Sequence, residues 1–203
     1  MAITNWHTLK STVESYLDRS DMGSAVEDAI QFGENRIYRD VRVQDLEGSL
    51  SATISSGTID VPSDYIEMKN LYIDTDPVQA LQRKDLSFIY ENHPTRSADS
   101  KPTFFAREGN KFIFGPFPDS NYAVKGIYYK KLEHLSNTNN FNFMINDFPE
   151  LLLFAALVEC EPFLQNDERI VVWESKYQAA VKQIQDQAET ESLSGSPLAV
   201  TAA

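Results

Sequence analysis

Cysteine, basic charge and long apolar runs are what this sequence has least of. Its one cysteine, Cys160, can form no internal disulfide, and it falls within an apolar helical pattern, where it reads as a small buried hydrophobe with no redox role. No apolar stretch approaches the roughly 18 residues a membrane-spanning helix requires; the best candidate, Leu151 to Val158, is far shorter. The N-terminal residues Met-Ala-Ile-Thr-Asn-Trp lack a basic region followed by an apolar one, so the expectation is a protein made and kept in a cytoplasm, or packaged from one. Lysine and arginine number 18 against 30 acids, a formal charge of -12. That balance disfavours an extended phosphate-binding surface, because the electrostatic part of nucleic-acid affinity is then repulsive.

Signatures of chemistry are equally scarce. There is no G-x-S-x-G, and the serines from Ser192 to Ser196 fall in a stretch of loop composition. The only histidines, His7, His93 and His134, stand far apart and in no metal-ligand spacing with another His, Cys or acid. His134 is a formal partner for Cys160, but a thiol on a core helix is not activated. Neither a phosphate-cradling glycine loop nor a P-loop lysine is present, and Gly115-Pro116-Phe117-Pro118 reads as a stiff turn. Acid pairs such as Glu14 with Asp18, or Glu159 with Glu161, arise by chance among thirty acids, and none is marked as having a raised pKa. The sequence therefore assigns no catalytic residue, no metal and no cofactor.

What is present is an ordinary globular composition, 42% hydrophobic and 24% charged over 203 residues, enough for one domain or at most two small ones. Trp6, Leu9, Val13, Tyr16 and Leu17 recur at helical spacing behind Thr4 or Asn5 as a cap. A second helix from Gly23-Ser24 sets Val26, Ala29, Ile30, Gly33, Ile37 and Val41 on one face, with Gly33 allowing close helix approach. Arg36, Arg39 and Arg42 near its end are interleaved with Glu34, Asp40, Asp45 and Glu47. We read these arginines as partners for acids inside the bundle or on neighbouring subunits, and not as DNA contacts.

From Ser49 the period falls to two. Leu50–Ile54 and Thr58–Val61 flank Ser55-Ser56-Gly57 as a predicted hairpin, and Met68–Ile73 resumes as a strand. A short helix is expected over Lys84–Glu91 and a second hairpin over Thr103–Arg107 and Lys111–Phe114, joined by Glu108-Gly109-Asn110. Tyr122–Lys131 is a further strand. A helix opening at Asp147 or Pro149 is apolar nearly all round and belongs at the centre of the core. Pro162 ends or kinks it, and another helix follows with Ile170, Trp173, Tyr177, Ala180, Val181 and Ile184 inward.

The class is α+β, with the N- and C-terminal helix pairs (5–45 and 147–187) joined in one bundle and a β-rich middle (49–132) inserted as a separate layer. Residues 1–187 are read as one domain. Residues 188–203 form an extended tail whose composition predicts disorder in isolation.

Four segments carry a resemblance: Glu34–Glu47; Val61–Tyr72; Lys111–Pro118 with Tyr128–Leu132; and Pro149–Leu164 followed by Asp167-Glu-Arg169 and Trp173-Glu174. Their order and spacing resemble the head-to-tail adaptor (connector) proteins of tailed bacteriophages, related in plan to the tail accessory factor beneath a podovirus portal. The resemblance implies a structural virion subunit and not an enzyme: a ring, typically dodecameric, assembled in the host cytoplasm and sited at the head–tail junction. Its partners would be the portal, the tail or nozzle proteins and further copies of itself, with the genome passing through the channel without specific binding. The acidic balance agrees with such a channel, since it lets DNA slide. On this reading the tail is an arm on the portal or an adjacent subunit, anchored by Leu193, Pro197, Leu198 and Val200. Another virion subunit and a phage peptidoglycan hydrolase are the alternatives.

Overall fold

The computed structural model describes residues 2–19, 21–164 and 167–193. The chain divides into two compact units, one built from Met1–Asp45 with Leu132–Ala203, the other from Leu46–Lys131. In chain order the first unit begins with helices α1 (Trp6–Leu17) and α2 (Gly23–Asp40). The second holds strands β1 (Glu47–Thr53), β2 (Thr58–Asp60), β3 (Tyr65–Ile73), β4 (Gln79–Ala80) and β5 (Gln82–Arg83). Helix α3 (Leu86–Asn92) follows, and then strands β6 (Phe104–Glu108), β7 (Lys111–Gly115) and β8 (Ala123–Lys130). Helices α4 (Phe143–Asp147), α5 (Pro149–Glu159) and α6 (Arg169–Leu193) complete the first unit. The α+β class expected from the periodicities is the one observed, with helices at both ends and strands between.

The helical unit follows from capping and stripe. Asn5 caps α1 reciprocally: the Thr8 N–H donates to Asn5 Oδ1 at 2.9 Å while the Asn5 N–H donates to Thr8 Oγ1 at 3.0 Å. Trp6, Leu9, Val13 and Leu17 are buried at spacings of three and four, whereas Tyr16, expected on that stripe, lies at its border and is 46% exposed. α4 was not anticipated; Asn142 caps it by accepting from the Ile145 N–H at 3.1 Å. Pro149 occupies the first turn of α5, where a missing N–H is harmless. Leu151, Leu152, Leu153, Ala155, Ala156 and Leu157 are all buried because α1, α2, α4 and α6 pack around α5. Gly33 allows the closest approach: a Cβ there would stand 2.9 Å from Ala156 N and 3.1 Å from Ala155 C.

α6 continues to Leu193, which takes Ala188–Leu193 out of the segment read as an unstructured tail. Those residues are mostly good helix formers. Gln187 Nε2 donates to Glu191 Oε1 one turn on at 2.9 Å, so the helix extends until the Ser-Gly-Ser-Pro composition begins at Ser194.

In the second unit, two four-stranded sheets, ordered β1-β8-β3-β4 and β2-β7-β6-β5, face each other. Leu50, Leu71, Ile73, Val124 and Tyr128 from the first meet Ile59, Phe105, Phe112 and Phe114 from the second in one cluster, so the inserted middle has a core of its own. α3 covers the outer face of the second sheet, where Ile89 packs on Ala106 and Ile113. The β6–β7 hairpin forms as the sequence predicts, with Glu108 opposite Lys111.

The other predicted hairpin, Leu50–Ile54 with Thr58–Val61, does not form. A single bridge between Ser55 and Thr58 joins these segments, while β1 pairs with β8 over seven residues and β2 with β7. The turn itself is tight, with positive φ at Ser56 (53°) and Gly57 (71°). Beyond it the chain passes from one sheet to the other. Leu50 and Ile54 before the turn and Ile59 after it thereby reach the space between the sheets from opposite sides.

Candidate functional site

Of the three arginines singled out in the sequence, Arg36 has 18% of its side chain exposed. Its Nη2 donates to both oxygens of Glu174 on α6 at 2.6 and 2.8 Å; Nη1 is 3.6 Å from Glu159 on α5, and Nε is 3.8 Å from Asp40 one turn along α2. The guanidinium also lies 4.4 Å from the centre of the Tyr177 ring, and the Tyr177 hydroxyl donates to Asp40 Oδ2 at 2.7 Å. Burial, which lowers the guanidinium pKa, is outweighed by Glu174 and the other acids, so the net shift is upward. One planar cation thus ties three helices through contacts that a point charge could not reproduce. Arg39, in the last turn of α2, is exposed. Arg42 donates from Nη1 to the carbonyls of Tyr38 at 2.6 Å and Val41 at 2.9 Å, closing the C-terminal end of the helix.

A second polar centre was not singled out in the sequence. Glu34, on α2, is fully buried. His134 Nδ1 stands 2.9 Å from Glu34 Oε2; the Leu135 N–H donates to both carboxylate oxygens at 3.2 Å, and Asn142 Nδ2 donates to Oε1 at 3.2 Å. Burial raises the Glu34 pKa, opposed by the bonds from His134, Leu135 and Asn142. The signal was available in part: Glu34 follows Ile30 by four and precedes Ile37 by three, which places it on the buried stripe. Its partners lie about a hundred residues away, where no spacing reveals them.

The chemistry these centres support is structural. Cys160 is fully buried and its thiol is pushed up to about 11, by burial first and then by Glu159, so it is protonated at neutral pH. His134 is bound to Glu34, and the His93 ring packs against Phe104, so neither histidine is brought to the thiol as a base. Among the described residues no group of three or more His, Cys, Asp or Glu could hold a metal ion, and no helix is long and apolar enough to cross a membrane.

Open grooves on the surface include two with several apolar side chains along them. One, of about 450 Å³, runs between the start of α5 and α6, with Phe148, Pro149, Leu151, Ala180, Ile184 and Gln187 along it. The other, of about 560 Å³, lies between β1 and β2 and includes Leu50, Ala52, Ile59, Val61, Pro62 and Lys111. Of the anchors expected in the tail, Leu193 closes α6, while its side chain and all of Pro197, Leu198 and Val200 lie outside the described residues.

The family model for SU10 adaptor protein matches residues 4–201, nearly the whole chain. No curated protein matches it.

Proposed function

Because the chain belongs to the SU10 adaptor protein family, a family of structural phage adaptors, we propose that it forms an oligomeric ring, of twelve copies, joining the portal to the tail at the head–tail junction of a virion. The observation that carries this reading is the family match over residues 4–201. The helical unit supports it, since Arg36 and Arg42 turn inward to acids and helix carbonyls and leave the outer charge predominantly acidic. An acidic wall repels phosphate, so a channel lined by such subunits passes DNA without holding it.

On this reading the partners are the portal, the tail or nozzle proteins and further copies of the chain. The adaptor comprises residues 1–187, with residues 188–203 as its arm, a helical extension to Leu193 followed by an extended segment. Leu193, Pro197, Leu198 and Val200 anchor the arm on the portal or an adjacent subunit, and Arg39, exposed on α2, is the arginine placed to meet an acid of a neighbour. The net charge opposes spontaneous self-association, so the free subunit is a monomer that assembles on the portal as template.

Mixing the protein with purified portal rings and measuring particle mass and negative-stain images tests this directly. A ring of adaptor stacked on the portal is expected, with none in the adaptor alone. A stable dodecamer without portal contradicts the templating, and absence of any portal complex contradicts the function. Clearing of purified peptidoglycan in a zymogram would instead favour a cell-wall hydrolase.

A further inference from the structure

We propose that the free edge of β1 receives the segment Ser194–Ala203 of a neighbouring copy of this chain, which joins the first sheet as an added strand. The proposal deepens the ring reading, from which it takes the presence of an adjacent copy.

β1 is the terminal strand of its sheet, paired only with β8 among the described residues. The Ile54 N–H donates to the Tyr122 carbonyl at 2.9 Å, toward β8, and hydrogen-bonding direction alternates along a strand. Ser49, Ser51 and Thr53 therefore present their N–H and C=O groups to the open side, and all three residues are exposed. Edges of this kind are ordinarily blunted by charge, proline or a bulge. Beyond Glu47 at its start this one has none of them: the register of β1 on β8 is unbroken from Glu47 to Thr53, and no residue from Gly48 to Ile59 is charged or a proline. The ends of an added strand would find backbone partners with nothing to turn it away.

The space beside the edge suits a strand with apolar side chains on one face. The groove of about 560 Å³ between β1 and β2 has Leu50, Ala52, Ile59, Val61 and Pro62 along it, interleaved with serines and threonines and flanked by Asp60 and Lys111. The segment Ser194–Ala203 reads Ser-Gly-Ser-Pro-Leu-Ala-Val-Thr-Ala-Ala; beyond Pro197 it alternates, with Leu198 and Val200 on one face and Ala199 and Thr201 on the other. Leu198 and Val200 would enter the groove while the small and polar residues stay in solvent. Charge selects the occupant. Two copies at -12 each repel overall, but this segment carries no charged side chain and the two charges beside the groove, Asp60 and Lys111, are of opposite sign, so the segment can dock without that repulsion. A contact of four or five residues is too small to hold two free subunits in dilute solution. It becomes effective where a ring holds copies side by side at high local concentration.

The test is amide hydrogen exchange on the full-length protein, dilute, with and without millimolar synthetic peptide of residues 194–203. Expected is about tenfold slower exchange at Ser49, Ser51 and Thr53 on adding peptide. Peptides carrying Leu198→Asp or Val200→Asp should have no effect. Unchanged exchange at those three amides with the unmodified peptide, or protection elsewhere only, overturns the proposal. An edge already protected in the dilute protein without peptide also overturns it, because the chain's own arm then fills the site. Protection of the edge without a portal-bound ring would leave the docking standing and refute the ring; a ring on the portal with an unprotected edge does the reverse.

Discussion

Two glycines in one helix are expected to respond to the same substitution with opposite signs. Gly→Ala in a helix interior gains about 1 kcal/mol of propensity wherever the methyl finds room. Gly23 opens the helix, so the interior gain does not apply in full there, but the nearest atoms are the flexible ends of Lys10 (Nζ, 3.7 Å) and Glu14 (Oε1, 4.0 Å), and Gly23→Ala should stabilise by about 0.4–1 kcal/mol by restricting the unfolded chain. At Gly33 the new methyl would meet Ala156 N at 2.9 Å, Ala155 C at 3.1 Å and Ala155 Cβ at 3.2 Å. Two of the three are backbone of α5, a helix packed also by α1, α4 and α6, so it cannot easily step aside. Overpacking of this kind costs about 1–3 kcal/mol. Any retreat of α2 also stretches the bonds to the adjacent Glu34, three of which are already 3.2 Å long. We expect Gly33→Ala to lose about 1–2 kcal/mol net, lowering Tm by about 2–8 °C. Both tryptophans, Trp6 and Trp173, belong to the helical unit, so fluorescence-detected melting reads that unit without the strands. A Gly33→Ala protein melting at or above the parent would refute the close-packing argument and leave propensity as the governing effect.

Other substitutions probe the polar centres. Arg36→Ala leaves Glu174, Glu159 and Asp40 facing one another and should cost about 1–3 kcal/mol in urea titration. Arg36→Lys should recover only part of that loss, since lysine offers neither the fork nor the stacking on Tyr177. The protein should not bind duplex DNA appreciably at physiological salt; binding that falls steeply with salt and vanishes in the Arg36, Arg39, Arg42 triple alanine variant would reverse their assignment. Glu34 has a raised folded-state pKa, so its contribution is fully present below its unfolded value of about 4.5 and is lost as pH rises through the folded value. Melting across that window should be flatter in Glu34→Gln than in the parent, with His134→Ala in parallel to separate the histidine's own titration; equal slopes in parent and Glu34→Gln would remove Glu34 as the cause. Cys160 should label with a thiol reagent only at the rate of unfolding, and rapid labelling of the native protein would show that the helix around it opens locally.

Every helix but the short α4 was legible because a stripe repeats every 3.6 residues whatever lies elsewhere in the chain. Asn5 and Pro149 mark their starts by local chemistry. The β6–β7 hairpin was legible for a similar reason, as its turn and partner strand are adjacent in sequence. Ser55-Ser56-Gly57 carries the same turn signal, yet the strands beside it part company. Their pairing is decided by β7 and β8, far along the chain, and by which arrangement buries Ile59 opposite Leu50. The same distance hid the Glu34 centre, whose ligands come from the return of the chain after the strands. α6 runs past its expected end because five residues, Glu189–Leu193, separate Ala188 from the small residues that begin at Ser194, and those five continue the helix.

The pairing of Glu47 with Tyr129 brings the two ends of the β-rich unit onto neighbouring strands, where opposed Cα atoms stand about 5 Å apart. To the helical bundle the whole span from Leu46 to Lys131 is then, once folded, little more than a tight turn. The entropy of closing so long a loop falls on the strands' own folding and not on the docking of α5 against α2. On a ribosome this sets an order: α1 and α2 emerge first and wait with their apolar stripe uncovered, the sandwich has a core of its own to close around, and its closure delivers α5 to the waiting pair. The same geometry makes the insert a replaceable cassette. A short linker in its place should leave a bundle that folds faster than the parent, because its remaining contacts are closer in sequence.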